Sequence, residues 1–256
     1  MPYQNSADTI NLTLQKLAEQ QDEDQKIEAL IPLVLRLKEM LAPEILNNAN
    51  THPDFIEIIP SVQTAVQYIE QHVQKTGKNF KDLPIDLTII IYLLIGIAKF
   101  QIHYPQQQSG ELTPYELAEQ TLLKAVTLCE LLPDKGGMLE ADVKLELGDT
   151  LQCQANLLKN KGDRHACNIL YKKAQDYFLE VITLKKAAAA TPDAIGHVYH
   201  ALSYAFLNQN NPNKALEYSN LALGCFEEAF GKNAKHPYIA AVYRAQEKIH
   251  SQQDKL

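Results

Sequence analysis

The clearest structural pattern in the sequence is Tyr199-His-Ala-Leu202-Ser203-Tyr-Ala-Phe206, followed by a turn at Asn210-Asn-Pro and by Ala215-Leu-Glu-Tyr-Ser-Asn-Leu-Ala222. Its first part spaces large side chains three or four positions apart with a small residue among them, which is typical of one helix face. Its second part carries two alanines seven positions apart, which lie on the same side of a helix. Because small residues let two helix backbones approach closely, the stretch predicts an antiparallel helical hairpin with a short turn.

Helical periodicity continues along the chain, and the apolar-polar alternation typical of strands is almost absent. Proline suits the first turn of a helix because no hydrogen bond is lost there. It opens predicted helices at Pro192, Pro212 and Pro237, with Thr191 and Asn211 as N-caps. We predict an all-α protein with helices near 7–20, 23–41, 54–76, 85–103, 114–131, 138–160, 164–188, 192–209, 212–230 and 237–252.

From residue 85 onward, helices with a small residue in an apolar run alternate with alanine-spaced helices. Two further units show this: Leu147-Gly148-x2-Leu151 precedes Ala174-x3-Phe178-x2-Val181, and Ile95-Gly96 precedes Ala118-x3-Leu122-x2-Ala125. In both units the two helical motifs are separated by more residues than in the hairpin predicted at residues 199–222. The alternation predicts a domain of stacked antiparallel hairpins over 85–256. Residues 1–84 lack it, and we predict a separate helical region there, either a bundle or cap or a set of degenerate repeats.

The hairpin predicted at residues 199–222 resembles the tetratricopeptide repeat (TPR), in which large and small residues recur at fixed packing positions. Ser219 stands where the family usually has an aromatic residue. The segment Phe230-Gly-Lys-Asn-Ala-Lys-His236-Pro237 is similar to the linker of the longer, kinesin-light-chain type of repeat, and the Val-Tyr pair at 198–199 recurs at 242–243, 44 residues later. The resemblance implies a short right-handed solenoid. The matched packing positions are Tyr199, Leu202, Ser203, Phe206, Ala215 and Ala222.

Composition and charge exclude several classes of function. The net charge is −7, of which −6 falls on residues 1–60, and no concentrated basic face suggests nucleic-acid binding. The longest apolar run, Leu87 to Ala98, is shorter than the ~20 residues that span a membrane, so we expect no membrane insertion. The N-terminus lacks the features of a signal peptide, and the four cysteines form no CxxC pair. We therefore expect a cytoplasmic protein with free thiols.

Candidate catalytic and metal-binding residues are few. His197 and His200 lie three positions apart and, with His165-x-Cys167, could be metal ligands, but nothing in the sequence brings the two pairs together. No phosphate-binding glycine loop is present, and no cysteine is accompanied by a glycine-rich oxyanion loop. Lining of a groove or a solvated helix face explains the histidines better. We expect no metal, no cofactor and no enzymatic activity.

The TPR resemblance implies that the first helix of each hairpin lines a concave groove. Polar, aromatic and amide side chains at helical spacing suit recognition of a peptide, although the same stripe also fits an ordinary exposed helix face. Two basic residues would attract an acidic or C-terminal segment of the partner. The candidate partner-binding residues are His197, His200, Tyr204 and Asn208, with Arg244 and Lys248 on the last helix and Asp149, Gln152 and Asn156 in the weaker unit.

These observations favour a non-catalytic scaffold or adaptor that binds a protein or peptide. Three alternatives stay open: a regulatory or sensor protein with a small ligand, an enzyme framed by helical hairpins, and a structural subunit of an oligomer. A deep closed pocket with convergent charges would favour the ligand sensor or the enzyme. The abundance of Gln, Asn and Lys resembles bacterial proteins, which makes delivery into a host cell as an effector a further hypothesis.

Overall fold

The computed structural model describes residues 113–132, 137–232 and 234–254, together with the isolated helical positions 12, 13, 15, 16, 19, 64 and 92. The chain forms two compact units, Met1–Leu132 and Pro133–Leu256. The predicted helices before residue 113 and the predicted boundary between residues 84 and 85 lie outside the continuously described residues. They stay predictions.

Every secondary-structure element in the described ranges is a helix, which confirms the predicted all-α class. The predicted bounds 138–160 and 212–230 coincide with those observed, and the others differ by one or two residues at an end. The helices are α1 Thr113–Cys129, α2 Met138–Asn160, α3 Arg164–Ala187, α4 Pro192–Asn208, α5 Pro212–Phe230 and α6 Pro237–Gln253.

Helices α2 to α6 all belong to the second unit, and helices adjacent in the chain pack against each other throughout it. Helices α2 and α3 form hairpin one, and α4 and α5 form hairpin two. Helix α3 also packs on α4, and α5 packs on α6, so the two hairpins and the last helix stack in chain order. The predicted architecture of stacked antiparallel TPR-like hairpins is confirmed for this unit.

The predicted starts of α4, α5 and α6 are confirmed, since each has proline in its first turn. The Asn211 side chain caps α5 by accepting a hydrogen bond from the Lys214 amide, at 3.3 Å. Thr191 is the N-cap of α4, but its side chain makes no capping hydrogen bond, so that part of the prediction is wrong. Its backbone carbonyl instead accepts from the Ile195 amide.

The core of hairpin two contains the residues that carried the TPR resemblance. Leu202, Ala215 and Ala222 are fully buried. The hydroxyl of buried Ser203 donates a 2.8 Å hydrogen bond to the Ala215 carbonyl and so links α4 to α5. Ser219 is also fully buried, and its hydroxyl has no hydrogen-bond partner. The position where the family usually has an aromatic residue is therefore still buried in the core, but here it holds a small side chain.

Hairpin one repeats hairpin two at a distance of 48 residues. A Cβ atom on Gly148 would lie 2.5 Å from the Phe178 ring, and one on Gly196 would lie 2.9 Å from the Phe226 ring. Both glycines and both phenylalanines are 48 positions apart. At these two points the paired helices are so close that a residue larger than glycine would require the neighbouring ring or helix to move.

The turns of the two hairpins follow the same step. Gly162 and Asn210 both adopt left-handed backbone conformations, with φ of 86° and 63°. The residues that follow them, Asp163 and Asn211, are both N-caps whose side chains accept from the amide three positions on. The period of the hairpins is thus 48 residues, although the interval from Val198 to Val242 is 44.

This register corrects the match proposed for hairpin one. In both helices of hairpin one, the residues equivalent to the TPR packing positions of hairpin two lie seven residues nearer to the turn than the sequence match placed them. Three of them, Ala155, Cys167 and Tyr171, form a buried cluster. Because seven residues make almost two helical turns, both choices lie on one face, which is how the displaced match arose. Tyr171 occupies the position of the family's usual aromatic, where hairpin two has Ser219.

Candidate partner-binding groove

Helices α2 and α4 are the first members of the two hairpins, α6 follows hairpin two, and α4 contacts both α2 and α6 directly. Between α2 and α4, Asn208 donates from Nδ2 to Asn156 Oδ1 at 3.1 Å. The same oxygen accepts the Tyr171 hydroxyl at 2.6 Å, and Lys159 Nζ donates to the Asn208 carbonyl at 2.7 Å. These bonds hold the C-terminal ends of α2 and α4 together, so two predicted site residues also have a structural role.

His200 and Tyr204 of α4 lie beside the two basic residues of α6. Their rings make an edge contact with centroids 5.1 Å apart. Lys248 Nζ lies 5.7 Å from the centre of the Tyr204 ring, which is within range of a cation–π interaction. Arg244 is near enough for its charge to act on His200. Four of the sequence-predicted residues of α4 and α6 therefore form one cluster, and we call the surface between the two helices the notch. They are His200, Tyr204, Arg244 and Lys248.

His197 lies where α4 meets α5 and α6. Its ring makes edge contacts with Phe226, at 5.1 Å, and with Tyr238, at 4.1 Å between centroids. The sequence placed His197 on a stripe that the repeat does not need for its packing, and these contacts show that His197 does pack between helices. The reason is the crossing of α6 over the start of α4, which no helical pattern reveals.

Both histidines are neutral near pH 7. The pKa of His197 is lowered to about 4, mainly by burial; the charge of Asp193 opposes this effect, and those of Lys185 and His236 add to it. Burial likewise lowers the pKa of His200 to about 4, with smaller contributions from His197 and Arg244. His197 Nε2 and His200 Nδ1 are buried and have no hydrogen-bond partner. Two neutral imidazole nitrogens of α4 are thus buried and unpaired.

The groove face of α2 is acidic. Burial raises the pKa of Asp149 to about 7. Burial also raises the pKa of Glu146 well above its usual range, and the charges of Asp149 and Asp142 raise it further. Lys185 of α3, itself buried, lies with Nζ 3.4 Å from Asp142 Oδ1 and partly balances this charge. In contrast to α6, α2 therefore presents carboxylates.

Gln152 continues the α2 stripe between Asp149 and Asn156. Its Oε1 atom is buried and has no hydrogen-bond partner. Sequence reasoning named Gln152 but not its acidic neighbour Glu146, which lies one turn before Asp149 and is only 6% exposed. The signal for Glu146 was the spacing of Asp142, Glu146 and Asp149 along one helix face, which predicts a shared stripe but not burial.

The thiols near the groove are poor nucleophiles. Burial, with a smaller effect of Asp149, raises the pKa of Cys153 to about 12, and burial also raises the pKa of Cys225. None of the four cysteines forms a disulfide. Within the described residues, no set of three or more His, Cys, Asp or Glu side chains is arranged to hold a metal ion. His165 is exposed, whereas Cys167 points into the core of hairpin one.

The loop before α6 is fixed by His236. Its ring stacks on Phe230 with centroids 3.7 Å apart, and its Nδ1 accepts a hydrogen bond from the Tyr238 amide at 3.3 Å. The histidine is thus both the N-cap of α6 and a ring in the aromatic cluster that joins α5 to α6. This explains physically why a histidine precedes Pro237.

The fold is that of a TPR-like helical repeat protein. The structure is similar to that of BtubC (BKLC), a kinesin light chain-like protein from P. vanneervenii, with a TM-score of 0.52 and 12% sequence identity. The similarity covers 100% of this chain and 89% of that chain. No protein-family model matches the sequence, and no curated protein matches it significantly. At this identity the similarity concerns the fold.

Across the described helices, none combines the length and apolar character that a bilayer span requires.

Proposed function

We propose that the protein is a non-catalytic scaffold or adaptor that binds a protein or peptide in the groove lined by α2, α4 and α6. The observation that carries the proposal is the cluster that His200 and Tyr204 of α4 form with the exposed cations Arg244 and Lys248 of α6. Aromatic rings beside exposed positive charge form a surface that suits a peptide carrying negative charge.

The partner segment is acidic, or ends in a C-terminal carboxylate, where it meets α6. Arg244 and Lys248 are both exposed, and no ion pair joins either of them to a carboxylate among the described residues. In a chain of net charge −7, two unpaired cations on one helix face mark where an anionic segment is attracted. Helix α2 offers no comparable pair of exposed cations, so we propose that the negative charge of the segment lies on the α6 side.

The linker supports a finer assignment within the TPR class. We assign residues 230–237 to the kinesin-light-chain type of repeat, in which glycine, lysine and a His-Pro pair precede the next helix. The capping and stacking of His236 give this pattern a physical reason. The cytoplasm is the proposed compartment, and delivery into a host cell as a bacterial effector stays a hypothesis from composition alone.

A second candidate function is sensing of a small cationic ligand. One observation favours it: Glu146 is only 6% exposed, and no hydrogen bond or ion pair involving its carboxylate is seen among the described residues. A small amine entering beside Asp149 would neutralise two carboxylates at once. A thermal-shift screen of alkylamines and guanidines, repeated on Glu146→Gln, separates this function from peptide binding. The sensor function requires stabilisation of the parent that the variant loses.

The test of the scaffold function is capture of partners by the whole chain carrying Tyr204→Ala and Arg244→Glu. We expect at least tenfold weaker binding, about 1.4 kcal/mol, of a partner captured by the parent. Circular dichroism should stay unchanged because Arg244 is exposed and Tyr204 is only partly buried. The readout is the Kd of the purified partner, measured after capture from native lysate.

The matched control is Tyr243→Ala with Arg164→Glu. It makes the same two chemical changes at exposed positions of α6 and α3 that take no part in the described groove contacts. Equal binding by the parent and the groove variant would refute the groove as the site. Loss of binding in the control alone would move the site to the opposite surface.

A further inference from the structure

The two halves of α6 are held on hairpin two by different kinds of side chain. At the first turn of α6, the Tyr238 ring packs edge-on against His197 of α4, with centroids 4.1 Å apart. Along the second half, three pairs of neutral amide side chains join α6 to hairpin two, and amides do not ionise between pH 4 and pH 8. The pairs are Gln246 with Asn220, Gln252 with Asn210 and Gln253 with Asn213.

The His197 ring is enclosed by helices on several sides. Phe226 of α5 makes a second edge contact with it, at 5.1 Å between centroids. Its Nε2 atom is buried and has no hydrogen-bond partner among the described residues. A charged imidazolium has two N–H donors, and a buried donor without an acceptor is costly. The closed cluster of rings therefore suits the neutral form of His197.

We propose that His197 is an acid-sensitive latch of α6: when its ring takes up a proton, the first turns of α6 open from hairpin two, while the amide pairs keep the second half attached. Opening moves Arg244 away from His200 and so dismantles the notch in acid. The proposal goes beyond the proposed function, because it concerns the conformation of the free protein and needs no partner.

The groups that face His197 come from four parts of the chain. Burial holds its pKa at about 4, Asp193 at the start of α4 opposes this effect, and Lys185 of α3 and His236 of the linker add to it. The phenol of Tyr238, on α6, is uncharged in acid. Asp193 is thus the one group among these that favours the protonated ring inside the closed cluster.

The direction of the pH effect follows from these surroundings. A histidine in water has a pKa of about 6.5, whereas the closed cluster holds that of His197 at about 4. The contribution of His197 to docking of α6 is therefore complete above pH 6.5 and is lost as the pH falls through 4. When opening exposes the ring to water, the ratio of open to closed α6 rises about thirtyfold between pH 7.5 and pH 5.0.

The experiment is amide hydrogen exchange of the whole chain at these two pH values, with each rate divided by the intrinsic exchange rate at the same pH. We expect the protection of amides in the first half of α6 to fall about thirtyfold at pH 5.0. Protection in α2 should not fall. No change at the start of α6 in the parent protein would overturn the latch.

Three single variants assign the effect to a residue. His197→Phe keeps a ring between Phe226 and Tyr238 that cannot ionise, so the loss of protection in acid should disappear. The same change at His165, which is exposed on α3, should leave the loss unchanged. His200→Phe should also retain it at the start of α6. Persistence of the full loss in His197→Phe, or its disappearance in His200→Phe alone, refutes the role of His197.

A fourth variant leaves every ring of the cluster in place. Asp193→Asn removes the negative charge that favours protonated His197 in the closed form. The ratio of protection at pH 7.5 to protection at pH 5.0 should therefore be larger than in the parent protein. An unchanged or smaller ratio contradicts the latch even when His197→Phe does not fold.

Discussion

Hairpin one and hairpin two share a close Gly-Phe contact but differ in the side chains at the positions predicted to line the groove. Gly148 meets Phe178 in one as Gly196 meets Phe226 in the other, 48 residues on. On the groove side, however, α2 carries carboxylates whose pKa values are raised, whereas α4 carries histidines whose pKa values are lowered. The residues between the helices of a hairpin define the fold, and those on the groove side are free to differ.

Packing positions and the remaining helix positions of a repeat carry different kinds of information. The Gly-Phe pair is preserved because a larger residue at either glycine would collide with an aromatic ring. Asp149 and His197 occupy corresponding positions, 48 apart, yet one is an acid and the other a base. A match based on packing positions therefore identifies the fold, while the function has to be argued from the positions that the match ignores.

The strongest test of the shared packing is substitution of the two glycines. Gly148→Leu should lower the free energy of unfolding by about 3 kcal/mol, since its Cβ alone would lie 2.5 Å from Phe178. Gly196→Leu should cost less, because the corresponding distance is 2.9 Å and a Cys225 methylene at 3.1 Å is the next neighbour. Urea unfolding of the two variants gives the comparison.

The control for this prediction is a compensating change. Trimming the ring, in Gly148→Ala with Phe178→Leu, should restore part of the stability that Gly148→Ala loses. If Gly148→Leu unfolds at the same urea concentration as the parent, Gly148 does not lie at a close helix contact and the 48-residue equivalence is wrong.

The second test uses pH to separate the two groove faces. The folded-state pKa of Asp149, about 7, lies above the ~3.9 of an unfolded aspartate. Its contribution to stability is therefore complete below pH 3.9 and is lost as the pH rises through 7. Asp149→Asn should stabilise the protein by about 2 kcal/mol at pH 8 and by little at pH 4, measured by chemical unfolding.

The contribution of His200 to stability depends on pH in the opposite direction. Its folded-state pKa, about 4, lies below the ~6.5 of an unfolded histidine, so its contribution is present above pH 6.5 and is lost as the pH falls through 4. His200→Gln should therefore flatten the acid limb of the stability profile, while Asp149→Asn flattens the alkaline limb. Profiles that change in the same direction for both variants would contradict the assigned environments.

Much of the fold was predictable because helix boundaries depend on local signals. The limits of α2 and α5 follow from their flanking turns and from periodicity within each helix. The position of the repeat within hairpin one was not recovered, because Gln154, Ala155 and Cys167 replace the residues that a TPR pattern leads one to seek. The recurrence of Gly148 and Phe178 at Gly196 and Phe226 would have found it.

The candidate site was predicted less completely, for a different reason. Helical spacing placed Asp149, His200 and Arg244 on groove faces, but spacing within one helix carries no information about what another helix brings against it. The packing of His197 on Tyr238 and the approach of Lys185 to Asp142 both depend on contacts between helices. Burial of Glu146, and hence its raised pKa, is a property of the assembled structure.

The smallest expected effect tests the equivalence of Ser203 and Ala155. The Ser203 hydroxyl donates to the Ala215 carbonyl across hairpin two, and Ala155 lies beside Cys167 at the same register of hairpin one. Ser203→Ala should cost only about 0.5–1 kcal/mol, since the carbonyl it releases keeps the backbone bond of its own helix.

The reciprocal substitution, Ala155→Ser, tests the same equivalence from the side of hairpin one. If the two hairpins are equivalent, Ala155→Ser places a hydroxyl where the Cys167 carbonyl can accept from it, and the free energy of unfolding should change by less than about 1 kcal/mol. A buried hydroxyl that finds no acceptor would instead cost roughly 1–3 kcal/mol. Urea unfolding of the two single variants and of their combination distinguishes these outcomes. A large loss in Ala155→Ser alone would show that the two turns are alike while the helix separations behind them differ.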